Sequence, residues 1–277
     1  MGTATVQWEF DTLLRKSPYP VHNPSPVMPE SSRPVALVTG SATGVGRACV
    51  LQFARRGYDV VVNYSRSEAE AHATVADAES LGAAVLLVCC DVSDDAEVRK
   101  MLALVNETFG RLDVLVNNAA TTSFIPHGDL ESLTESMWDR MLAVNLKGAF
   151  FVTRAAAELL RSGGGGSVVN VSSVAGITGS GSSIAYCASK AGLNAMTKSL
   201  ARVLAPSVRV NAVCPGPIDS RWIKEGNPNW DLDEMVSGYP IPKASQPDDI
   251  ADAVLFFAIG TRMATGQLLS VDGGQTL

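Results

Sequence analysis

The chain has 277 residues, 18% of them charged, and a formal net charge of -6 at pH 7. A mildly acidic chain offers no basic face to nucleic acid, and no apolar stretch approaches the roughly 18 residues needed to span a bilayer, so neither is an expected partner. The five cysteines are odd in number, scattered and without metal-ligand spacing, which predicts no metal site and reduced packing thiols in a cytoplasmic protein.

Residues 1–32 differ from everything after them. They hold Pro18, Pro20, Pro24, Pro26 and Pro29, with little apolar periodicity beyond Val6-Gln7-Trp8-Glu9-Phe10 and no secretory h-region. A flexible arm is expected, with a short ordered piece from Trp8 to Leu14, and Met28 is an alternative start. Residues 33–277 suffice for one large α/β domain.

A first strand is expected at 35–38, bracketed by Pro34 and Gly40. After the turn Thr39-Gly40-Ser41-Ala42-Thr43-Gly44-Val45-Gly46, the apolar residues Ala48, Val50, Leu51, Phe53 and Ala54 recur at helical spacing. Strand, tight glycine turn and helix aim a helix N-terminus at a phosphate. Glycine lets the backbone turn sharply and approach a pyrophosphate that a Cβ would obstruct. The spacing G-x-x-x-G-x-G departs from the usual G-x-G-x-x-G, and an ordinary glycine-rich connection is the alternative.

The second strand, 59–63, ends in Asn63-Tyr64-Ser65-Arg66-Ser67. An acidic residue at such a strand end binds the adenosine ribose hydroxyls of NAD. Here Arg66 and the Ser65 and Ser67 hydroxyls can instead pair with a 2′-phosphate, which favours NADP(H), with NAD(H) possible. Against this, Arg66 also reads as a solvated loop residue, and Thr43 supplies no second positive charge.

Further strands are expected at 84–89, 112–116, 167–171, 208–213 and 268–271, and helices at 67–81, 95–109, 134–161, 185–204 and 247–258. Such alternation predicts an α/β fold, a single Rossmann-like doubly wound parallel sheet of about seven strands with helices on both faces. Ligands of such sheets bind beyond the carboxyl ends of the strands. Gly40, Asn63, Asp91, Asn117, Ser172, Ser173 and Pro215 all follow apolar strands, so one rim collects them.

Tyr186-Cys187-Ala188-Ser189-Lys190 places a phenol and an ammonium four residues apart, on one face of a helix. A nearby positive charge lowers a tyrosine pKa from about 10, which suits it to general acid or base work. Alone the pattern is weak, because surface helices produce it by chance.

Together these motifs resemble the short-chain dehydrogenase/reductase family from about Arg33 to Leu277. The carrying residues are Thr39-Gly40-x-x-x-Gly44-x-Gly46, Asp91-Val92, Asn117-Asn118-Ala119-Ala120, Asn145, Ser173, Tyr186-x-x-x-Lys190 and Pro215-Gly216. The resemblance implies hydride transfer between a nicotinamide and a carbonyl carbon. In it Ser173 binds the carbonyl oxygen, Tyr186 exchanges the proton, Lys190 lowers the tyrosine pKa and binds the ribose, and Asn145 holds a water beside Lys190. Asn145 also reads as a buried polar residue that simply needs a partner.

Cofactor contacts are implied for the backbone of Gly40, Ala42, Thr43, Gly44, Val45 and Gly46, and for Asn63, Tyr64, Ser65 and Arg66. Asp91 and Val92 are implied at the adenine, although an Asp after a strand is also an ordinary helix N-cap. Asn117 is expected to line the adenosine side and hold the central strands, with Asn118, Ala119 and Ala120 beside the cofactor. Ala120 stands where the family usually has glycine. Pro215, Gly216, Ile218 and Ser220 are implied around the nicotinamide.

The segment 221–239 is the expected lid, with Trp222, Trp230, Met235 and Tyr239 forming a partly apolar pocket. His127 reads as a solvated loop residue. Val62-Asn63-Tyr64-Ser65 and Val271-Asp272-Gly273-Gly274 look most like 3-oxoacyl-[acyl-carrier-protein] reductases, with sugar and polyol dehydrogenases as the alternative. A carrier protein would need a basic surface, for which Arg161, Arg202 and Arg209 are available. A non-catalytic NADP(H) sensor is a second class, but such members usually lack the tyrosine or lysine. The resemblance also implies a homo-oligomer, tetramer or dimer, built on helices 134–161 and 185–204.

Overall fold

The computed structural model describes residues 33–226 and 231–277, the side chain of Glu225 excepted. The arm, Met28 and Trp230 lie outside the described residues. Seven strands form one sheet in the order β3-β2-β1-β4-β5-β6-β7, every pairing parallel. They are β1 Val35–Val38, β2 Asp59–Tyr64, β3 Val85–Cys89, β4 Val114–Asn117, β5 Gly166–Val171, β6 Val208–Pro215 and β7 Leu268–Val271. The chain runs outward from β1 to β3, then crosses back to place β4 against the other side of β1, which opens the crevice of a doubly wound sheet.

Strand alternation divides the core in two. Ala36 and Val38 of β1 pack with Phe53 and Ile250 on one face, while Val35 and Leu37 pack with Met101 and Leu160 on the other. The first face is covered by α1 Gly44–Arg55, α2 Glu68–Ser80 and α10 Pro247–Leu255. The second is covered by α3 Asp95–Phe109, α5 Ala149–Ser162 and α7 Ile184–Leu204. All five cysteines are free thiols.

The helix expected over 134–161 is not continuous. It runs as α4 Glu135–Leu142, a π-helical turn Ala143–Gly148, then α5. The cause is tertiary. The Asn145 amide is fixed by the Thr121 backbone on both sides, accepting from its N–H at 2.8 Å and donating to its carbonyl at 2.9 Å. A Cβ on Gly148 would lie 2.8 Å from Val92 Cγ2, so only glycine lets the helix approach there. The helix expected over 247–258 likewise ends in a π turn, Phe256–Gly260. Three short helices were not anticipated: α6 Ala175–Thr178, α8 Arg221–Gly226 and α9 Leu232–Val236.

A buried polar seam ties the central strands to the helices. Asn117 Nδ2 donates to Thr153 Oγ1 and to Asn170 Oδ1, each at 2.9 Å, and Asn170 Nδ2 donates to Thr197 Oγ1 at 2.8 Å. Asn117 thus holds the strands as expected. It does not line the adenosine side, because its amide is turned into the helix layer. The Arg209 guanidinium is also committed inward, donating to the Phe257 carbonyl at 2.7 Å and the Ala258 carbonyl at 2.8 Å. It is therefore unsuited to receiving an acidic partner.

Gly46 shows how tightly the glycine turn is packed. A Cβ there would lie 2.5 Å from Gly40 O and 2.6 Å from Asn118 Nδ2. Gly46→Ala should therefore shift the turn and destabilise the fold by about 1–3 kcal/mol in chemical denaturation; an unchanged midpoint would contradict this packing.

Candidate active site

The turn after β1 is held open by neutral amides rather than by charges. Gly40 and Gly44 have φ of +61 and +57, conformations that favour glycine. Asn118 Nδ2 donates to the Thr39 carbonyl at 3.0 Å and the Gly40 carbonyl at 2.9 Å, while Thr39 Oγ1 accepts from the Asn118 and Ala119 amides. From the other side, Asn63 Oδ1 accepts the Gly40 N–H at 3.0 Å, and its Nδ2 donates to the Cys90 carbonyl at 3.1 Å. The ends of β1, β2, β3 and β4 are joined in this way.

The turn fits a pyrophosphate. Thr43 makes no side-chain cap on α1, no acidic residue occupies its first turn, and the position of a Gly44 Cβ is open space. A helix N-terminus presented in this way favours an anion. Gly40, Ala42, Thr43, Gly44 and Val45 line a cleft of ≈ 1090 Å³. Gly46 does not line it; it is the packing contact described above.

The cleft continues past Asn63, Tyr64, Ser65 and Arg66, past Asp91 and Val92, and past Asn118, Ala119 and Ala120. It ends among Ser173, Tyr186, Lys190, Pro215, Gly216, Ile218 and Ser220. Nearly every candidate residue therefore meets on one surface. Arg66 is exposed at the rim and makes no ion pair among the described residues.

Asp91 is not the cap of α3; Asp94 is, accepting from the Ala96 and Glu97 amides. The Asp91 carboxylate accepts from the Ser93 amide and hydroxyl and from Arg140 at 2.9 Å. Burial works to raise its pKa, but these hydrogen bonds and Arg140 together hold it below the ordinary value.

Asn145 is absent from the cleft wall. Besides Thr121 it donates to Ser189 Oγ at 3.0 Å, and that hydroxyl donates to the Tyr186 carbonyl at 2.7 Å. Its side chain thus positions the Thr121 loop and the first turns of α7. His127 stays at the surface with Nε2 3.1 Å from the Gly181 carbonyl.

At the end of β5 the two serines separate. Ser172 Oγ donates to the Lys190 carbonyl at 3.3 Å, whereas Ser173 lines the cleft with Tyr186 and acts to lower the phenol pKa. Lys190 is 2% exposed, donates to the Val171 carbonyl at 2.8 Å and stands 5.7 Å from the Tyr186 ring centroid. Spacing alone suggested that the ammonium would lower the tyrosine pKa, but burial prevails. The phenol is pushed up to about 12 by burial, which the Ser173 hydrogen bond offsets only in part. The ammonium faces the ring and the Val171 carbonyl. Its own pKa is pulled down to about 8 by burial, against a small rise from the Cys214 thiol.

Several cleft residues had no motif to announce them. Thr122 and Ser182 join hydroxyls at 2.5 Å, Phe124 lies against Gly226 of α8, and Arg140 anchors Asp91. The C-terminal segment adds Gln275. Asp272 fixes the backbone there by accepting from the Gly274 and Thr276 amides. Gln275 lines the cleft with Oε1 buried and unpartnered. Only the low-complexity "G-G-Q" ending hinted at a turn at this point. Among the expected lid residues, Trp222, Met235 and Tyr239 do line the cleft.

A doubly wound sheet with this cleft and a Ser-Tyr-Lys constellation defines a dinucleotide-dependent oxidoreductase. The family model described as enoyl-(acyl carrier protein) reductase matches residues 40–276. A protein assigned as ketoacyl reductase 2 of granaticin polyketide synthase from Streptomyces violaceoruber is 44% identical over 248 residues, 88% of this chain and 96% of that one. The 3-oxoacyl-[acyl-carrier-protein] reductase FabG of Staphylococcus aureus is 38% identical over 86% of this chain and 96% of its own. An L-rhamnose 1-dehydrogenase (NAD(P)(+)) of Sphingomonas sp. is 36% identical over 86% and 94%. A solved structure assigned as a short-chain dehydrogenase/reductase from Burkholderia xenovorans superposes with a TM-score of 0.83 at 38% identity, covering 88% of this chain and 98% of that one. The chain belongs to the short-chain dehydrogenase/reductase family.

The buried pair makes a pH prediction. Lys190 has a folded pKa of about 8 against an ordinary lysine value of 10.5, so between them the unfolded chain binds more protons and stability rises with pH. Tyr186 acts oppositely, and only above 10, as its folded value is about 12. Wild type should therefore gain stability relative to Lys190→Met between about pH 7.5 and 9.5 in denaturant titrations at each pH; a pH-independent difference would contradict the burial of the ammonium.

Proposed function

We propose that the chain is an NADP(H)-dependent oxidoreductase that interconverts a carbonyl and a secondary alcohol, with a 3-oxoacyl thioester as its substrate class. The observation that carries this reading is the meeting of Ser173, the half-buried Tyr186 and the buried Lys190 at the end of a cleft whose glycine turn fits a pyrophosphate. The names of the ketoacyl reductase relatives support it.

The glycine turn, with Asn63 to Arg66 and Pro215 to Ser220, would hold a reduced nicotinamide dinucleotide in the cleft, which would supply the hydride for the carbonyl carbon. Two hydroxyls then meet one oxygen. Ser173 donates a hydrogen bond to it as negative charge develops, and Tyr186 transfers its proton, so the product leaves as the neutral alcohol. A phenol held at about 12 keeps its proton at neutral pH, which matches the reductive direction. Lys190 brings positive charge beneath the ring and binds ribose hydroxyls, and Asn145 positions α7 through Ser189. At the adenosine end Arg66, Ser65 and Ser67 favour NADP(H), with NAD(H) still accommodated.

Gln275 favours a second reading. Its orphaned Oε1 and the Ser180 hydroxyl, both on the cleft wall, would suit a polyhydroxylated substrate, as in a sugar dehydrogenase. Among the described residues no helix is long and apolar enough to cross a membrane. A cytoplasmic homo-oligomer, tetramer or dimer, is supported by Phe150 on α5 and Val203 on α7, which are 38% and 70% exposed.

Absorbance at the reduced-nicotinamide band, read across 3-oxoacyl and 2-enoyl thioesters and keto-sugars, tests the assignment. NADPH-dependent turnover of a 3-oxoacyl thioester is expected, falling at least ~100-fold in Tyr186→Phe with NADPH affinity nearly unchanged. Turnover of sugars alone would select the second reading, and turnover of the enoyl thioester alone would refute carbonyl chemistry.

A further inference from the structure

Helix α8 begins at Arg221, next to Ser220 at the expected nicotinamide end of the cleft. Its guanidinium reaches the opposite end. Nη1 donates to Glu70 Oε1 at 2.6 Å and Nη2 to Ser67 Oγ at 3.3 Å. Both partners belong to the segment after β2, where Ser67 precedes α2 and Glu70 lies in its first turn. Arg221 also lines the same cleft as Ser65, Arg66 and Ser67. Arg221 thus brings a cation from α8 to the wall that holds Arg66.

The local charges can be taken in turn. Arg66, Arg140 and Arg221 line this half of the cleft; Arg140 is held by Asp91, and Arg221 pairs with Glu70. Glu68 lies beside the Tyr64 phenol and helps to raise its pKa, after burial and Cys89. Ser67 precedes α2 without using its hydroxyl as a cap, and that hydroxyl accepts from Arg221 on the cleft wall. The Arg221–Glu70 pair is 44% and 41% exposed, and such surface pairs are worth only about 0–1 kcal/mol. A phosphate monoester offers near-dianionic charge and bidentate geometry, so it competes well with an exposed carboxylate such as Glu70.

We propose that Arg221 is a cofactor-selectivity residue: it pairs, together with Arg66, with the 2′-phosphate of NADP(H), and Glu70 is the counter-ion that holds it ready in the free protein. This rests on the NADP(H) reading above. Because Arg221 opens α8, the same contact draws the lid helix toward the adenosine half of the cleft.

The test is equilibrium binding of NADPH and NADH, followed by protein fluorescence, with 2′-AMP and 5′-AMP as competitors. Wild type, Arg66→Ala, Arg221→Ala and Glu70→Gln are compared, with thermal melts to confirm folding. Arg221→Ala should weaken NADPH and 2′-AMP roughly tenfold, the scale of one charge-assisted hydrogen bond, and leave NADH and 5′-AMP unchanged. Glu70→Gln should tighten NADPH alone, since it removes a carboxylate beside the phosphate. If wild type binds NADPH no better than NADH, the NADP(H) reading fails and this inference with it. If wild type prefers NADPH and Arg66→Ala abolishes that preference while Arg221→Ala does not, only the role of Arg221 falls. Equal losses for both cofactors in Arg221→Ala would likewise make it a structural lid contact and overturn the proposal.

Discussion

The site depends on a charge kept out of water. Lys190 has 2% exposure and one fixed backbone acceptor, the carbonyl of Val171 at the end of β5. Burying an ammonium is costly unless it is paired, and here the pairing is incomplete. Burial draws the ammonium pKa down and drives the neighbouring Tyr186 pKa up, so each group leans toward its neutral form. In the proposed reaction, a phenol that holds its proton beside an ammonium releases it when an oxyanion develops next to it, and the surrounding architecture preserves this arrangement.

That architecture works mainly with neutral amides. Asn63 and Asn118 brace the glycine turn, Asn117 and Asn170 lock β4 and β5 to the helices, and Asn145 fixes the Thr121 loop and α7. Amides supply donors and acceptors without adding charge to a low-dielectric region, where a further ion would disturb the Tyr186–Lys190 balance. Charge appears instead at the rim, where Arg66, Arg140 and Arg221 face the adenosine half of the cleft. The apolar lid residues Trp222 and Met235 and the tail residue Gln275 shape the substrate end. The proposed roles in cofactor binding, proton transfer and substrate choice fall on segments that meet at the carboxyl ends of the strands.

Much of this was legible in the chain. Apolar runs located all seven strands within two residues or so, because strands buried on both faces read as continuous hydrophobic stretches. The rim residues followed from their positions just after those runs. The π turn at Asn145 was not legible, since it arises from hydrogen bonds to Thr121, 24 residues away. Gly46 matched a phosphate-binding pattern but serves helix packing, a distinction that needs the Gly40 carbonyl beside it. Arg140, Arg221 and Gln275 belong to no spacing rule; tertiary folding alone brings them to the cleft. The tyrosine pKa reversed sign for a similar reason, because helical spacing reports the neighbouring lysine but not the burial around both.

The most direct test concerns the Tyr186 proton in the cofactor-free enzyme. Spectrophotometric titration at the tyrosinate band, taken as the difference between wild type and Tyr186→Phe, isolates that phenol. The structure predicts no phenolate from Tyr186 until the pH passes its ordinary value and approaches about 12, leaving a protonated acid ready for carbonyl reduction. A phenolate forming near neutral pH would show that Lys190 governs the tyrosine despite burial, and would contradict the account.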